Sequence, residues 1–320
     1  MAGDNTRRVK VADGIEIAAH HLGGDGPPVM VAHATGFHGR CYAPMAKQLT
    51  PYFSVWALDQ RGHGASGRPA DGRYDEWSRF ADDLLRVLAD LEPGARWGGV
   101  GHSLGGAVVL MAEAMSTGTF SALCCYEPVV LPPDWRASAE ETAAGETSAG
   151  RTASDGGSPT RTSDPVPLAV LARKRRPSFE SRAAAFDNYR SKPPFSTFDS
   201  EALRSYVEYG FTDCGDGTVT LACAREDEAA VFESAPSSGA WSTLSEVRPP
   251  VAVLAGASGQ DLVARAADPV ARRLPRGGIR RFPHLDHFGP LTAPAEVGQV
   301  AAAALGAPVE RSTIAVTSPG

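Results

Sequence analysis

The spacing of the apolar runs limits most tightly how this chain can fold. Five of them, PVMVAHA at 28–34, FSVWALD at 53–59, GGVGHS at 98–103, SALCCY at 121–126 and PVAVLAG at 250–256, are each about one strand long. Helical patterns lie between several of them: Tyr42–Leu49, Tyr74–Leu91, the small-residue stretch Gly105–Met115 and Ala293–Leu305. In Tyr74–Leu91 the 3.6-residue period sets Trp77, Phe80, Leu84, Leu85 and Leu88 on one face. Strands that alternate with helices of this length predict parallel pairing through right-handed crossovers. The expected class is therefore α/β, a mostly parallel twisted sheet with helices on both faces. Ahead of it, RRVKVADGIEIAAHHLG carries two alternating runs around Asp13-Gly14, which predicts a hairpin.

The alternation fails between Pro132 and Val247, where helical patterns such as Ser181–Tyr189 and Ser200–Tyr209 dominate and TVTLACA is the clearest sheet-like run. This stretch reads as a mostly helical cap inserted into the core. The expected organisation is a core in two parts, 1–131 and 248–306, a cap at 132–247 and a flexible tail at 307–320. Within the cap, 136–165 contains no branched aliphatic, aromatic, Met or Cys residue and can bury little against its ordering entropy, so it is expected to be disordered. The basic run Arg173-Lys174-Arg175-Arg176 could meet an anionic substrate, although such runs are usually solvated faces.

A net charge of −6 argues against a nucleic-acid partner, because phosphate binding wants a basic face. No segment approaches the apolar length of a membrane span or of a secretory signal, so a soluble cytoplasmic protein is expected. The five cysteines contain no CxxC pair, which suggests neither a disulfide framework nor a zinc site. His33 and His38 lack an accompanying carboxylate or cysteine, so no metal is expected there.

The stretch Gly101-His102-Ser103-Leu104-Gly105 lies between an apolar strand and a small-residue helix. G-x-S-x-G in that setting is a nucleophile elbow, in which the serine occupies a strained turn and the flanking glycines leave room for the backbone. The Leu104 N–H at the helix start would face a developing oxyanion. A second donor is expected from the loop after PVMVAH, where Thr35 has the right position. The serine needs a base, and IRRFPHLDHFGPL offers His284 and His287. His287 is preferred, since it falls in the loop between the last strand and the final helix. Two carboxylates compete to orient the imidazole: Glu127, which ends the SALCCY strand before Pro128, and Asp261, in the loop after PVAVLAG. Glu127 has the slight advantage, because a charge at the end of an apolar strand is costly unless paired. Asp286 reads as a turn residue. Phe37 and His102 are placed among the substrate-contacting residues, with His102 excluded as the base because its side chain should point away from the Ser103 hydroxyl.

With these residues in view, the chain resembles the α/β-hydrolase superfamily over nearly its whole length. GHSLGG matches the nucleophile segment, and ALDQRGHGASGRP is similar to a D-x-R-G-x-G-x-S signature that shapes the core in many members. The resemblance implies that His63 is structural, and HATGF departs from the commoner HGxxxG pattern by Ala34. The family's usual acid would follow the penultimate strand, but Gly259 stands at that position and the nearest carboxylate is Asp261. Glu127 instead matches an arrangement similar to that of haloalkane dehalogenases, which carry aspartate where Ser103 stands. The HATGFHGR, YEPVV and HFGP segments look like those of actinobacterial-type hydrolases.

The expectation is a cofactor-free serine hydrolase acting on a small apolar acyl substrate such as an ester, thioester or lactone, with carbon–carbon bond hydrolysis as the nearest variant. Two alternatives stand beside it: a lyase, cyclase or perhydrolase of the same fold in secondary metabolism, and a small-molecule binding protein of hydrolase ancestry that has lost turnover. The pattern carries no information on oligomeric state.

Overall fold

The computed structural model describes residues 5–133, 167–257 and 262–308. The expected disordered segment at 136–165, Asp261 and most of the tail lie outside these residues. An eight-stranded sheet forms the core. It contains β1 (Thr6–Lys10), β2 (Glu16–Gly23), β3 (Pro28–Ala32), β4 (Ser54–Leu58), β5 (Trp97–His102), β6 (Phe120–Tyr126), β10 (Val251–Ala255) and β11 (Gly277–Arg281), in the spatial order β1-β2-β4-β3-β5-β6-β10-β11. The hairpin β1–β2 and the pair β2–β4 are antiparallel, and every other pair is parallel.

Period-two alternation divides the strands between two apolar layers. Met30, Ala32 and Leu58 pack on one side with α1 (Ser78–Leu91) and α2 (Leu104–Met115), whereas Val29, Val31, Val55 and Ala57 pack on the other. In α1, Phe80, Leu84, Val87 and Leu88 are buried and Leu85 only partly so, one position off the expected face. Each fully buried large side chain contributes roughly 1.5–3 kcal/mol. Helix α2 is buried from Leu104 to Glu113, which explains its small residues: it is enclosed by the sheet and by neighbouring helices.

The stretch between the two core parts contains α3 (Leu168–Lys174), α4 (Arg182–Arg190), α5 (Ser200–Tyr209) and α6 (Arg225–Ser234). It also holds a small antiparallel sheet, β7 (Ser178–Phe179), β9 (Val219–Leu221) and β8 (Phe211–Asp213). Its central strand β9 lies within the TVTLACA run, whereas β7 and β8, of two and three residues, are too short to show a period. The core closes with α7 (Leu262–Arg273) between β10 and β11, and α8 (Pro294–Ala304) after β11.

Candidate active site

The carboxyl ends of β5 and β6 carry the distinctive backbone of the molecule. Among the described residues, Ser103 and Glu127 are the non-glycine residues with positive φ, at 55° and 41°. Ser103 follows β5 directly and precedes α2. A Cβ on Gly101 would meet the backbone of Gly105 and Gly106, and one on Gly105 would meet the carbonyls of Ala32 and His33. The glycines therefore let the elbow press against β3 as well as turn. Glu127 follows β6, donates its N–H to the Leu254 carbonyl at 2.8 Å, and is fully buried.

Three side chains meet across this edge. The Ser103 hydroxyl lies 3.1 Å from His287 Nε2, and His287 Nδ1 lies 2.7 Å from Glu127 Oε2. The second carboxylate oxygen, Oε1, accepts the Gly256 N–H at 2.7 Å. Glu127 is thus an acceptor on both sides, which directs the Nδ1 proton of His287 toward it and leaves Nε2 to face the serine oxygen. His284 sits elsewhere: it is exposed and paired with Glu296 at 2.9 Å. Asp286 accepts the Phe288 N–H at 2.9 Å, as a turn residue does.

The end of β3, just before Thr35, meets the elbow just after Leu104, where the Gly105 N–H reaches the His33 carbonyl at 3.1 Å. Leu104 opens α2, where the first N–H groups have no intrahelical partner. Thr35 follows β3 and, among the described residues, its N–H reaches no protein acceptor. Phe37, two residues on, is buried against Phe195, Phe198 and Tyr206 from the inserted stretch and against Phe288 beside His287. His63 is buried, with Nδ1 3.0 Å from the Arg61 carbonyl, and the pair Arg61–Asp83 is buried behind it.

His102 requires a correction. It is not presented to a substrate: it is buried, and both ring nitrogens are engaged, Nδ1 with the Tyr42 hydroxyl at 2.7 Å and Nε2 with the His287 carbonyl at 2.8 Å. Burial pushes its pKa well below the ordinary histidine range, so it is neutral. As the last residue of β5 it points to the face opposite the elbow, the result of strand alternation that also removed it as a base.

A polar cluster that no sequence pattern announces lies against Gly36. Arg175 pairs with Glu228 and reaches the hydroxyls of Tyr189, at 3.1 Å, and Tyr206. Glu228 lies against Gly36. Of the basic run, Arg173 is also paired, with Glu226 and Glu233. Reading the run as a solvated face fails for Arg175, because the partner Glu228 lies some fifty residues away and no local pattern announces it.

A model of the Alpha/beta hydrolase family matches residues 29–300, from β3 to α8. The chain belongs to the Alpha/beta hydrolase family. Curated relatives of this alpha/beta hydrolase include a pimeloyl-[acyl-carrier protein] methyl ester esterase of Methylococcus capsulatus, 35% identical over 115 residues, which are 35% of this chain and 42% of that one. The enzyme of the same name from Xanthomonas campestris is 33% identical over 92 residues, 28% of this chain and 33% of that one. The matched stretches thus cover well under half of these relatives. Among solved structures, E-2-(acetamidomethylene)succinate hydrolase superposes with a TM-score of 0.67 at 21% identity over 90% of this chain and 94% of its own. A peroxisomal alpha-beta-hydrolase of Saccharomyces cerevisiae superposes at 0.68 with 16% identity, over 98% of this chain and 88% of its own. At such identities the likeness shows the fold. Among the described residues no helix is long and apolar enough to cross a membrane.

Proposed function

We propose that this alpha/beta hydrolase is a serine esterase in which Ser103 attacks an acyl carbon and His287 takes and returns the proton. The observation that carries this reading is the continuous line from the strained Ser103 through His287 to Glu127, with contacts of 3.1 and 2.7 Å. Proton transfer from Oγ to Nε2 makes an imidazolium, whose charge the buried Glu127 carboxylate stabilises while it holds the ring in the required tautomer. The N–H groups of Thr35 and Leu104 then hold the oxyanion. His287 protonates the leaving oxygen, and a water deprotonated by the same nitrogen releases the acyl group. Glu127, rather than Asp261, is the proposed acid.

A small acyl ester with an uncharged, apolar acyl chain suits the surroundings best. Phe37, Phe195, Phe198 and Phe288 gather beside His287, and the Arg175–Glu228 pair adds no net charge near Gly36. Methyl ester esterases among the relatives agree with ester chemistry. A fluorophosphonate probe combined with p-nitrophenyl esters of increasing acyl length tests both parts. Labelling at Ser103 and turnover of short to medium chains are expected. Folded protein that takes no label at Ser103 sinks the esterase reading.

A further inference from the structure

We infer that Tyr42 and His102 form a positioning relay that fixes the Thr35 loop and the backbone of His287 as one unit, an inference that rests on the esterase reading above. The relay has two ends whose hydrogen-bond roles cannot change. At one end the Ala34 N–H, a donor only, reaches the Tyr42 hydroxyl oxygen at 3.1 Å. At the other the His287 carbonyl, an acceptor only, lies 2.8 Å from His102 Nε2. Between them Tyr42 Oη and His102 Nδ1 are 2.7 Å apart.

These constraints admit one arrangement of protons. His102 Nε2 must carry the hydrogen that it donates to the His287 carbonyl. Nδ1 of the neutral ring is then an acceptor and receives the single hydrogen of the Tyr42 hydroxyl, whose oxygen accepts from Ala34. All three bonds are made in the same direction, from the Thr35 loop toward the His287 loop. Both side chains are nearly fully buried, at 1% exposure for Tyr42 and 2% for His102, so water cannot substitute for a lost partner.

The two ends are where small displacements affect chemistry most. Ala34 immediately precedes Thr35, and the His287 carbonyl belongs to the residue whose imidazole faces Ser103. The preceding carbonyl, that of Asp286, is held from β6 by the Tyr126 hydroxyl at 2.7 Å. Two adjacent carbonyls of the His287 loop are therefore tied to the ends of β5 and β6, the strands that also carry Ser103 and Glu127. Both nitrogens of His102 are bonded elsewhere and its ring lies tilted against that of His287, centroids 5.0 Å apart, so it acts through the base and not on the substrate. Its role is to keep the acceptor side of the proton transfer in register with the oxyanion donors, and misplacement of such groups by about 1 Å costs on the order of 100-fold in rate.

The test uses Tyr42→Phe, which removes one hydroxyl and keeps the ring, His102→Leu, and His102→Gln, whose amide can still donate toward the His287 carbonyl. For Tyr42→Phe and His102→Leu we expect kcat on a p-nitrophenyl ester and the rate of fluorophosphonate labelling to fall together, by about 10- to 100-fold, with KM within about twofold. His102→Gln should recover most of the loss. Imidazole 15N resonances of wild-type His102 should report the neutral Nε2–H tautomer, and Tyr42→Phe should keep it, because the His287 carbonyl still requires a donor there. Variants that fold with kcat within about twofold of wild type, or a His102→Gln no better than His102→Leu, overturn the relay. So does wild-type His102 in the Nδ1–H form. Wild-type protein that neither labels nor turns over while His102 shows the expected tautomer overturns the esterase reading, and with it the relay's catalytic role.

Discussion

The carboxyl edge of the sheet is built in two ways. At the ends of β3 and β4 the buried polar side chains are held mainly by backbone groups. His33 donates from Nδ1 to the Ala34 carbonyl at 2.7 Å and accepts the Gln60 N–H at Nε2 at 2.8 Å. Asp59 accepts the Gly39 and Ala65 N–H groups at 2.7 and 2.8 Å and also meets His20 Nε2 at 3.0 Å. At the ends of β5 and β6, Ser103, His287 and Glu127 hold one another. Backbone donors and acceptors do not titrate near neutral pH, so in the first half titratable partners meet at the Asp59–His20 pair and the other groups keep their protons. The second half is a line of titratable partners along which a proton can move. The two halves differ in backbone as well. Where β3 and β4 end, positive φ falls on Gly36 and Gly62, whereas at β5 and β6 it falls on Ser103 and Glu127, two members of the proposed catalytic line.

The largest expected effect breaks the reactive half at its centre. Ser103→Ala should lower kcat on a p-nitrophenyl ester by about 10⁴- to 10⁶-fold and abolish fluorophosphonate labelling. A variant that keeps more than about one per cent of wild-type kcat would mean that the line from Ser103 to Glu127 is not the catalytic one.

Glu127→Gln should cost about 10³- to 10⁴-fold in kcat with little change in folding. The carboxylate accepts from two donors, and an amide can accept with only one of its two ends. The Gly256 N–H cannot become an acceptor, so the amide oxygen must face it. The amide N–H then points at His287 Nδ1, forces that nitrogen to accept, and leaves the imidazole hydrogen on Nε2. The ring would then present a donor to Ser103 where a base is needed. Steady-state kinetics of this variant beside Asp261→Asn separates the two carboxylates, and near-wild-type kcat for Glu127→Gln would remove it as the acid.

The fixed half should reveal itself through stability in acid. Burial lowers the pKa of His33 to about 3 and that of His38 to about 4. In the unfolded chain both titrate near 6.5, so between that pH and about 4 the unfolded state binds more protons than the folded state. Stability is therefore fully present above pH 6.5 and falls as the pH drops, by about 1.4 kcal/mol per pH unit for each histidine. Urea unfolding at pH 8.5, 7.5 and 5.5 should give two flat points and then a drop of about 3 kcal/mol from these two, to which the likewise lowered His63 and His102 add. A stability that stays level down to pH 5.5 would show that these histidines can charge in place.

How far the sequence discloses each half follows from the reach of its signals. The elbow is legible because Gly101, Ser103 and Gly105 sit within five residues, and because close packing of strand against helix demands glycine locally. Glu127 leaves one trace, a charge at the end of an apolar strand, which favours it only slightly over Asp261. The choice rests on Gly256 and His287, both distant in sequence and close in space. His102 was legible by strand parity as pointing away from the hydroxyl, but not as bonded to Tyr42, since nothing local pairs positions 42 and 102. The small β7–β9–β8 sheet and the Arg175–Glu228 pair are tertiary products in the same sense.

The smallest effect tests the backbone difference between the halves. At φ 55° and ψ −117° an L-residue is held in a sparsely populated conformation, which costs on the order of 1–3 kcal/mol and which glycine adopts without that penalty. Ser103→Gly and Ser103→Ala both remove the hydroxyl, so the lost contact with His287 cancels between them. What remains is strain, opposed by about 0.4–1 kcal/mol for the greater freedom of glycine in the unfolded chain. Ser103→Gly should therefore be the more stable of the two by about 1 kcal/mol in urea unfolding, although both are inactive. At an ordinary helix position the sign is reversed, with glycine worse than alanine by roughly 0.5–1 kcal/mol. A Ser103→Ala protein as stable as Ser103→Gly would mean that the elbow relaxes once the hydroxyl is gone. Strain at β5 would then be imposed by the contact with His287 and not by the packing of Gly101 and Gly105.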